Sequence, residues 1–320
     1  MKQFKIILAI NLLFLTVLIM IPGSSLYHFQ DIFLFNDSHS YLDPPAMDMR
    51  RTMGYPWLLN FFQLFDNWYF PVVIMNCFLA AWMFQVTYWM AGKWTWLLAA
   101  LGAYTVYVPH ILTDLIFATF FITSIWRLKE KGLVGHFILL GLASLIRPSL
   151  AWFFLVEPFV LYFYGYRGKA VYWSAILAFI VTSFNPIRNF VNHGVWTHST
   201  VLSINMTSEK YFGGKDSVIG YFWSAFKGNW MADHFKYLGN IFGLFKVDTA
   251  DGRTASKLML YLYWIGVSAM MFIWTRFGIR FLQKKINLGD ALILAYFIIP
   301  TLFGNTGARL RLPVEWILIL

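Results

Sequence analysis

Charged side chains are scarce in this chain of 320 residues, in which Asp, Glu, Lys and Arg make up 12%. Average soluble domains carry about 25% charged residues, whereas 59% of this chain is hydrophobic and its mean hydropathy is +0.60. Most of the surface must therefore face lipid, which excludes a cytosolic enzyme and a disordered tail.

Cysteine is almost absent as well. Cys77 alone cannot form an internal disulfide, which excludes a secreted disulfide scaffold.

Positive charge is in excess, with a formal net charge of +10. In a soluble protein such an excess would suggest nucleic acid as a partner. In a membrane protein, Lys and Arg collect in cytoplasmic segments beside anionic lipid. We therefore expect the lipid bilayer, and no nucleic acid, to be the partner of most of these charges.

Long apolar segments run through the chain, and a spanning helix needs about 20 such residues. They predict one all-α, polytopic membrane domain over residues 1–320, with roughly nine to ten spans. The predicted spans are about 5–22, 68–90, 94–108, 110–126, 133–148, 149–165, 170–187, 258–275 and 288–303. A last apolar stretch from Leu312 to Leu320 is too short to span. We expect the chain to be a fragment of a longer protein, with a terminal half-helix as the alternative.

Lys and Arg in the short connecting segments predict the orientation. With the N-terminus inside, the short inner segments hold nearly all of these cations, whereas two long segments, about 23–67 and 188–257, fall outside. We expect short interfacial helices in both long segments because they are rich in aromatic residues. The inner cations are Lys2, Lys5, Lys93, Arg127, Lys129, Lys131, Arg167, Lys169, Arg276, Arg280, Lys284 and Lys285. The N-terminal segment also has features of a signal peptide, but an uncleaved first span is favoured.

Two aspartates follow apolar segments on the predicted outer side, and each has two interpretations. Asp37 begins a stretch typical of a helix start, so it is either an N-cap or a general base at the membrane surface. Asp114 opens a helix whose next twelve residues carry no charge. It is either a helix cap, shared with Thr113, or a functional carboxylate, because an ionisable group so close to hydrocarbon is costly.

Arginines also accumulate on the predicted outer side, where the orientation rule does not require them. Arg147 interrupts an apolar run and either snorkels outward at a break between two spans or has a functional role. Arg188 lies where a predicted span meets a loop, at the depth of a lipid phosphate. Arg309 and Arg311 precede Pro313, which favours the first turn of a following helix. Arginines beside acids indicate a site that handles an anion at the membrane surface.

Glu157, which precedes Pro158, is the deepest acidic residue of the predicted spans. It is either a satisfied polar residue at a proline kink or the ion-binding carboxylate of a secondary transporter. The histidines on the predicted outer side lack the helical spacing of metal ligands. They are His39, His110, His193 and His198. We therefore assign no cofactor, and a divalent metal held across the loops stays open.

Five short motifs follow one another along the chain, and together they resemble those of the membrane-embedded GT-C glycosyltransferases. The resemblance is closest to the protein O-mannosyltransferase and lipid A aminoarabinose transferase group. The motifs are Asp37 and Tyr41 with Arg51-Thr52-Met53-Gly54-Tyr55-Pro56; Asp114 with Phe117; Arg147-Pro148; Pro186 with Arg188-Asn189, Gly194 and Ser199-Thr200; and Arg309, Arg311 and Pro313. The chain departs from the family in having Met53 where proline is usual, Asp114 where glutamate is commoner, and no late spans or C-terminal outer domain.

The resemblance implies transfer of a sugar from a polyprenyl-phosphate carrier to a lipid, glycan or protein acceptor, with inversion at the anomeric carbon. It places the reaction on the outer face of a bacterial inner membrane, with the N-terminus in the cytoplasm. It implies that Asp37 is the general base and that Asp114 helps to position the donor or the acceptor. Arg51 and Arg188, with Arg309 and Arg311, would hold the carrier phosphate. The full substrate-binding set implied is Tyr41, Arg51, Tyr55, Arg147, Arg188, Arg309 and Arg311.

Two other classes of function stay open. A secondary transporter would place ionisable residues near the bilayer midplane and show repeated halves. Glu157 alone supports that class, and no repeat is visible in the sequence. A noncatalytic assembly or polymer-handling protein is the third class, against which the grouping of Asp37, Asp114 and the arginines argues.

Overall fold

A computed structural model describes residues 1–20, 42, 52–100, 104–105, 108–109, 111, 113–147, 150–196, 268, 272 and 274–302. Helices are the regular elements of these residues, and no strand occurs among them, as the composition predicted. The helices are α1 (Lys2–Met20), α2 (Gly54–Phe62), α3 (Tyr69–Ala91), α4 (Trp94–Ala100), α5 (Thr113–Lys129), α6 (Leu133–Ile146), α7 (Leu150–Phe163), α8 (Lys169–His193) and α9 (Leu288–Leu302). Residues 274–282 are helical as well.

Three of these helices are long and apolar enough to cross a membrane: α1, α3 and α8. The helices α6 and α7 have 14 residues each. At 1.5 Å per residue each is about 21 Å long, which is shorter than a hydrocarbon core of about 30 Å. Of the nine to ten expected spans, three therefore coincide with helices of spanning length among the described residues. In the predicted span 94–108, for example, α4 covers residues 94–100, and the described residues 104–105 and 108 lie in turns.

The N-terminal helix α1 packs on α3 through apolar and polar contacts. The backbone N–H of Phe4 donates a hydrogen bond to Gln85 Oε1 at 3.1 Å. Buried Asn11 accepts a hydrogen bond from Thr105 Oγ1 at 3.0 Å. A polar side chain within an apolar helix needs such a partner, because an unpaired buried amide costs free energy.

The helices α3 and α5 lie side by side and run in the same direction. Trp82 Nε1 donates a hydrogen bond to Thr123 Oγ1 at 3.1 Å, and the rings of Trp89 and Trp126 stack at 4.9 Å. The buried aromatic core next to them comes from α5, α7 and α9. It contains Phe117, Phe121, Phe153 and Tyr296.

The helices α5 and α6 form an antiparallel hairpin joined by residues 130–132. We call the end of this hairpin that contains Asp114 and Arg147 the Arg147 end, and the opposite end the Lys129 end. The helices α7 and α8 continue the alternation, and α7 contacts both α8 and α9. α9 begins at the Lys129 end, since Leu288 and Lys129 line one small pocket.

The helix α8 ends at His193, whereas the sequence predicted a span that ended at 187. Pro186 lies inside the helix instead of ending it, since a helix tolerates proline at a local cost. The helix ends instead at Gly194, whose φ of 68° is left-handed and whose N–H donates to the Phe190 carbonyl at 2.8 Å. The prediction that Arg188 lies at a helix–loop boundary is therefore wrong: Arg188 lies within α8.

Candidate functional site

A buried ion pair joins two of the predicted site residues at the Arg147 end. Arg147 Nη2 donates a hydrogen bond to Asp114 Oδ1 at 2.5 Å, and the side chains are 10% and 4% exposed. Asp114 lies in the first turn of α5, and Arg147 directly follows α6. Two charges removed from water are stable only when paired in good geometry, so each of these residues depends on the other.

Local sequence explains the position of Arg147. Its backbone is extended, with φ −135° and ψ 124°, as expected for a residue before proline. The helix α6 therefore ends at Ile146, and the predicted break between two helices occurs here. Arg147 does not snorkel outward from this break. Its guanidinium turns back over α5.

An aromatic ring supports the guanidinium from α5. The Arg147 guanidinium carbon lies 5.1 Å from the centroid of the Phe117 ring, within the range of a cation–π contact. Phe117 is three residues after Asp114, so both side chains share one face of α5. The sequence motif that combines Asp114 with Phe117 therefore forms one surface that receives Arg147.

The motif Gly54-Tyr55-Pro56 reaches the same end of the bundle from a distant part of the chain. It opens α2, which packs against α6. A Cβ atom added at Gly54 would lie 2.5 Å from the carbonyl oxygen of Leu145, so only glycine permits this approach. Tyr55 is fully buried. The first-loop motif thus lies against the last turn of α6, two residues before Arg147.

Arg188 lies on α8 and contacts its own neighbour. Its Nε and Nη2 atoms donate hydrogen bonds to Asn189 Oδ1 at 3.1 and 2.8 Å. The side chain is half-buried, and Asn189 is buried. Because α8 begins at the Lys129 end, as α6 does, Arg188 lies toward the Arg147 end of its helix.

The structure thus brings together Asp114, Arg147 and Tyr55 at one end of the bundle, and Arg188 lies on α8. The other predicted site residues lie outside the described part of the chain. They are Asp37, Tyr41, Arg51, Arg309 and Arg311. Among the described residues, no three His, Cys, Asp or Glu side chains are grouped so that they could hold a metal ion.

An apolar groove of about 590 Å³ runs between α6 and α8. It extends from Leu133 to Leu145 on α6 and from Trp173 to Phe184 on α8. Ser144 is its one polar lining side chain, and that hydroxyl donates to the Gly141 carbonyl within its own helix. The groove therefore offers hydrocarbon contacts, and it leads toward Arg147 on one wall and Arg188 on the other.

Sequence reasoning singled out Glu157 but missed its two partners. Glu157 is fully buried and binds His136 of α6 and Ser174 of α8. The interpretation as a satisfied polar residue near a proline fits this arrangement. His136 could have been identified from the sequence, because it is the one ionisable residue in the apolar run of α6. The same criterion that selected Glu157 would have selected it.

Comparisons of the chain with protein-family models, with curated proteins and with solved structures give no match.

Proposed function

We propose that this protein is a membrane glycosyltransferase of the GT-C type. It would move a sugar, with inversion, from a polyprenyl-phosphate carrier to a lipid, glycan or protein acceptor. The observation that carries the proposal is the meeting of three separated motifs at the Arg147 end: Gly54-Tyr55, Asp114-Phe117 and Arg147. Motifs from distant parts of a chain meet either because they form a common site or because they pack in a common core. A buried ion pair is an unfavourable way to build a packing core, so a common site is favoured.

The chemistry of this transfer suits an arginine held by a carboxylate. When the sugar leaves its carrier, negative charge grows on the carrier phosphate, and fixed donors aimed at that charge lower the barrier. A guanidinium has five N–H donors, so it can bind Asp114 and a phosphate oxygen at the same time. In this proposal Asp114 is a positioning residue that orients Arg147. Asp37 remains the proposed general base for the acceptor.

The groove between α6 and α8 supports a carrier with a long hydrocarbon chain. Its walls end near Leu145 and Phe184. Leu145 precedes Arg147 by two residues and Phe184 precedes Arg188 by about one turn, so a chain lying in the groove would carry its phosphate to the level of both arginines. The proposed site therefore combines this apolar groove with Arg147 and Arg188 near its end.

The cations at the Lys129 end support a cytoplasmic location for that end. Arg127 and Lys129 close α5, Lys131 lies in the turn, and Lys169 opens α8. Cytoplasmic segments carry this excess of Lys and Arg. The Arg147 end would then face the outer side of a bacterial inner membrane, where the carrier presents its sugar.

Donor consumption tests the proposal. The protein in lipid nanodiscs is supplied with polyprenyl-phosphate sugars, and mass spectrometry follows the release of polyprenyl phosphate. We expect release by the wild type and a tenfold to hundredfold lower rate for Arg147→Lys, since a lost charge-assisted contact costs about 1.5–3 kcal/mol. Lys131→Gln, at the other end, is the matched control and should keep the wild-type rate. Wild-type rates in both Arg147→Lys and Asp114→Asn would remove this site from the reaction.

A further inference from the structure

A second buried polar cluster lies nearer the Lys129 end and joins four helices. His136 Nδ1 lies 2.9 Å from the Ser124 carbonyl oxygen of α5, and His136 Nε2 lies 2.7 Å from Glu157 Oε1 of α7. Ser174 Oγ of α8 donates to Glu157 Oε2 at 3.0 Å. All four residues are buried, with exposures of 1% or less. The candidate site at the Arg147 end makes no use of them.

The hydrogen-bond partners define how many protons the cluster holds. A carbonyl oxygen only accepts, so His136 Nδ1 must carry a proton and donate it to Ser124. Ser174 donates to the other oxygen of Glu157, so Oε1 alone faces His136. Contact between Nε2 and Oε1 at 2.7 Å requires one proton between them, because two lone pairs at that distance would repel. That proton lies either on the imidazole or on the carboxyl group, and the pair is neutral as a whole in both cases.

Within the described part of the chain, no further charged side chain forms a hydrogen bond or an ion pair with this cluster. The helix α5 faces the cluster with the Ser124 carbonyl, and α8 faces it with the Ser174 hydroxyl. The helix α9 also packs on α7, but its charged side chain, Asp290, is bound to Arg280. Gaining or losing a proton would therefore leave a net charge in a buried site, which is strongly unfavourable.

We infer that His136 and Glu157 share one proton and form a neutral clamp that fixes α5, α6, α7 and α8 together at the Lys129 end. The clamp and the Asp114–Arg147 pair brace the α5–α6 hairpin near its two ends. The pair as a whole then has no net charge to offer to an ion or a solute. This inference concerns the fold, and it stands or falls independently of the proposed glycosyl transfer.

Three variants test the shared proton. In Glu157→Gln the amide N–H can donate to a neutral His136 and the amide oxygen can accept from Ser174, so we expect a melting temperature near that of the wild type. His136→Ala leaves a buried carboxyl group without its partner, and its melting temperature at pH 8 should fall clearly. The double variant His136→Ala with Glu157→Gln removes the ionisable group and should recover part of that loss.

The double variant separates this role from simple packing. His136→Ala and the double variant both lose the imidazole, so a difference in melting temperature between them reports the cost of the carboxyl group left without its partner. A Glu157→Gln variant as unstable as His136→Ala would overturn the inference, since the negative charge itself would then be needed. A double variant no more stable than His136→Ala would overturn it too. If His136→Ala does not fold, Glu157→Gln alone decides between the two outcomes.

Discussion

At the scale of the residue, each buried acid of the described chain has a basic or imidazole partner from another segment. The partner is needed because an isolated buried charge costs several kcal/mol. The pairs are Asp114 with Arg147, Glu157 with His136, and Asp290 with Arg280. These buried pairs therefore hold elements of the fold together.

Composition and hydropathy were sufficient to identify several members of these pairs. They did not show which residue pairs with which. Asp114, Arg147 and Glu157 stood out because ionisable residues are costly in apolar segments. Their partners lie far away in sequence, with Arg147 33 residues from Asp114 and His136 21 residues from Glu157. Which residues meet at such separations depends on how the helices pack, and one sequence does not contain that information directly.

The variant Gly54→Ala tests the close contact between α2 and the last turn of α6. In Gly54→Ala the new Cβ would lie 2.5 Å from the Leu145 carbonyl oxygen, so α2 and α6 must separate. We expect a loss of about 1–3 kcal/mol in unfolding free energy, measured by denaturant titration in detergent. Gly141→Ala is the control, because its Cβ would lie 3.5 Å from Leu177 Cδ1, an ordinary contact. Equal stability of both variants would contradict the close contact.

Arg309 and Arg311 test the predicted phosphate contacts outside the described residues. If either holds the carrier phosphate, its planar fork makes paired hydrogen bonds that lysine does not reproduce. We expect Arg309→Lys or Arg311→Lys to lower donor turnover about tenfold to hundredfold while expression and melting temperature stay normal. Turnover at the wild-type rate in both variants would make them ordinary interfacial residues.

At the scale of the element, helix existence was easier to predict than helix length. The apolar runs predicted helices near 68–90, 133–148 and 149–165, and helices occur there as α3, α6 and α7. The bounds differ where a proline or a turn is involved. Pro186 does not end α8, because other interactions of the helix compensate for the N–H that proline lacks. Hydropathy alone does not predict whether a helix continues through a proline.

Asn287 and Asp290 cap the start of α9, and variants of Asn287 test this cap. The N–H of Asp290 donates to Asn287 Oδ1 at 2.9 Å, and the N–H of Asn287 donates to Asp290 Oδ2 at 3.0 Å. This reciprocal pair satisfies two donors of the first turn. Asn287→Ala should lower the unfolding free energy by about 0.5–2 kcal/mol. Asn287→Asp keeps an accepting oxygen and should lose less, and a larger loss for Asn287→Asp than for Asn287→Ala would rule out the cap.

At the scale of the whole molecule, helix direction and charge distribution agree with each other. The described cations of the connecting turns lie at the Lys129 end, and the Asp114–Arg147 pair lies at the opposite end. From this charge distribution the positive-inside rule predicts that the Lys129 end faces anionic cytoplasmic lipid and that the Arg147 end faces outward. The sidedness of the membrane follows from the positive-inside rule, so it is a prediction that needs its own experiment.

Cysteine labelling tests that sidedness directly. Cys77 is buried, and its replacement by Ala gives a background without reactive thiols. We expect Ser40→Cys to react with an impermeant maleimide from the outer side of intact cells, and Lys129→Cys to react only after the membrane is opened. Labelling of both positions from the same side would contradict the predicted topology.

We propose that the Arg147 end holds the phosphate of a polyprenyl carrier. The most direct test is a structure of the protein in nanodiscs with a polyprenyl phosphate, determined by electron cryomicroscopy. We expect density for the phosphate within hydrogen-bonding distance of Arg147 or Arg188, with the isoprenoid chain between α6 and α8. Density for the phosphate at the Lys129 end, or none at the Arg147 end under saturating carrier, would contradict it.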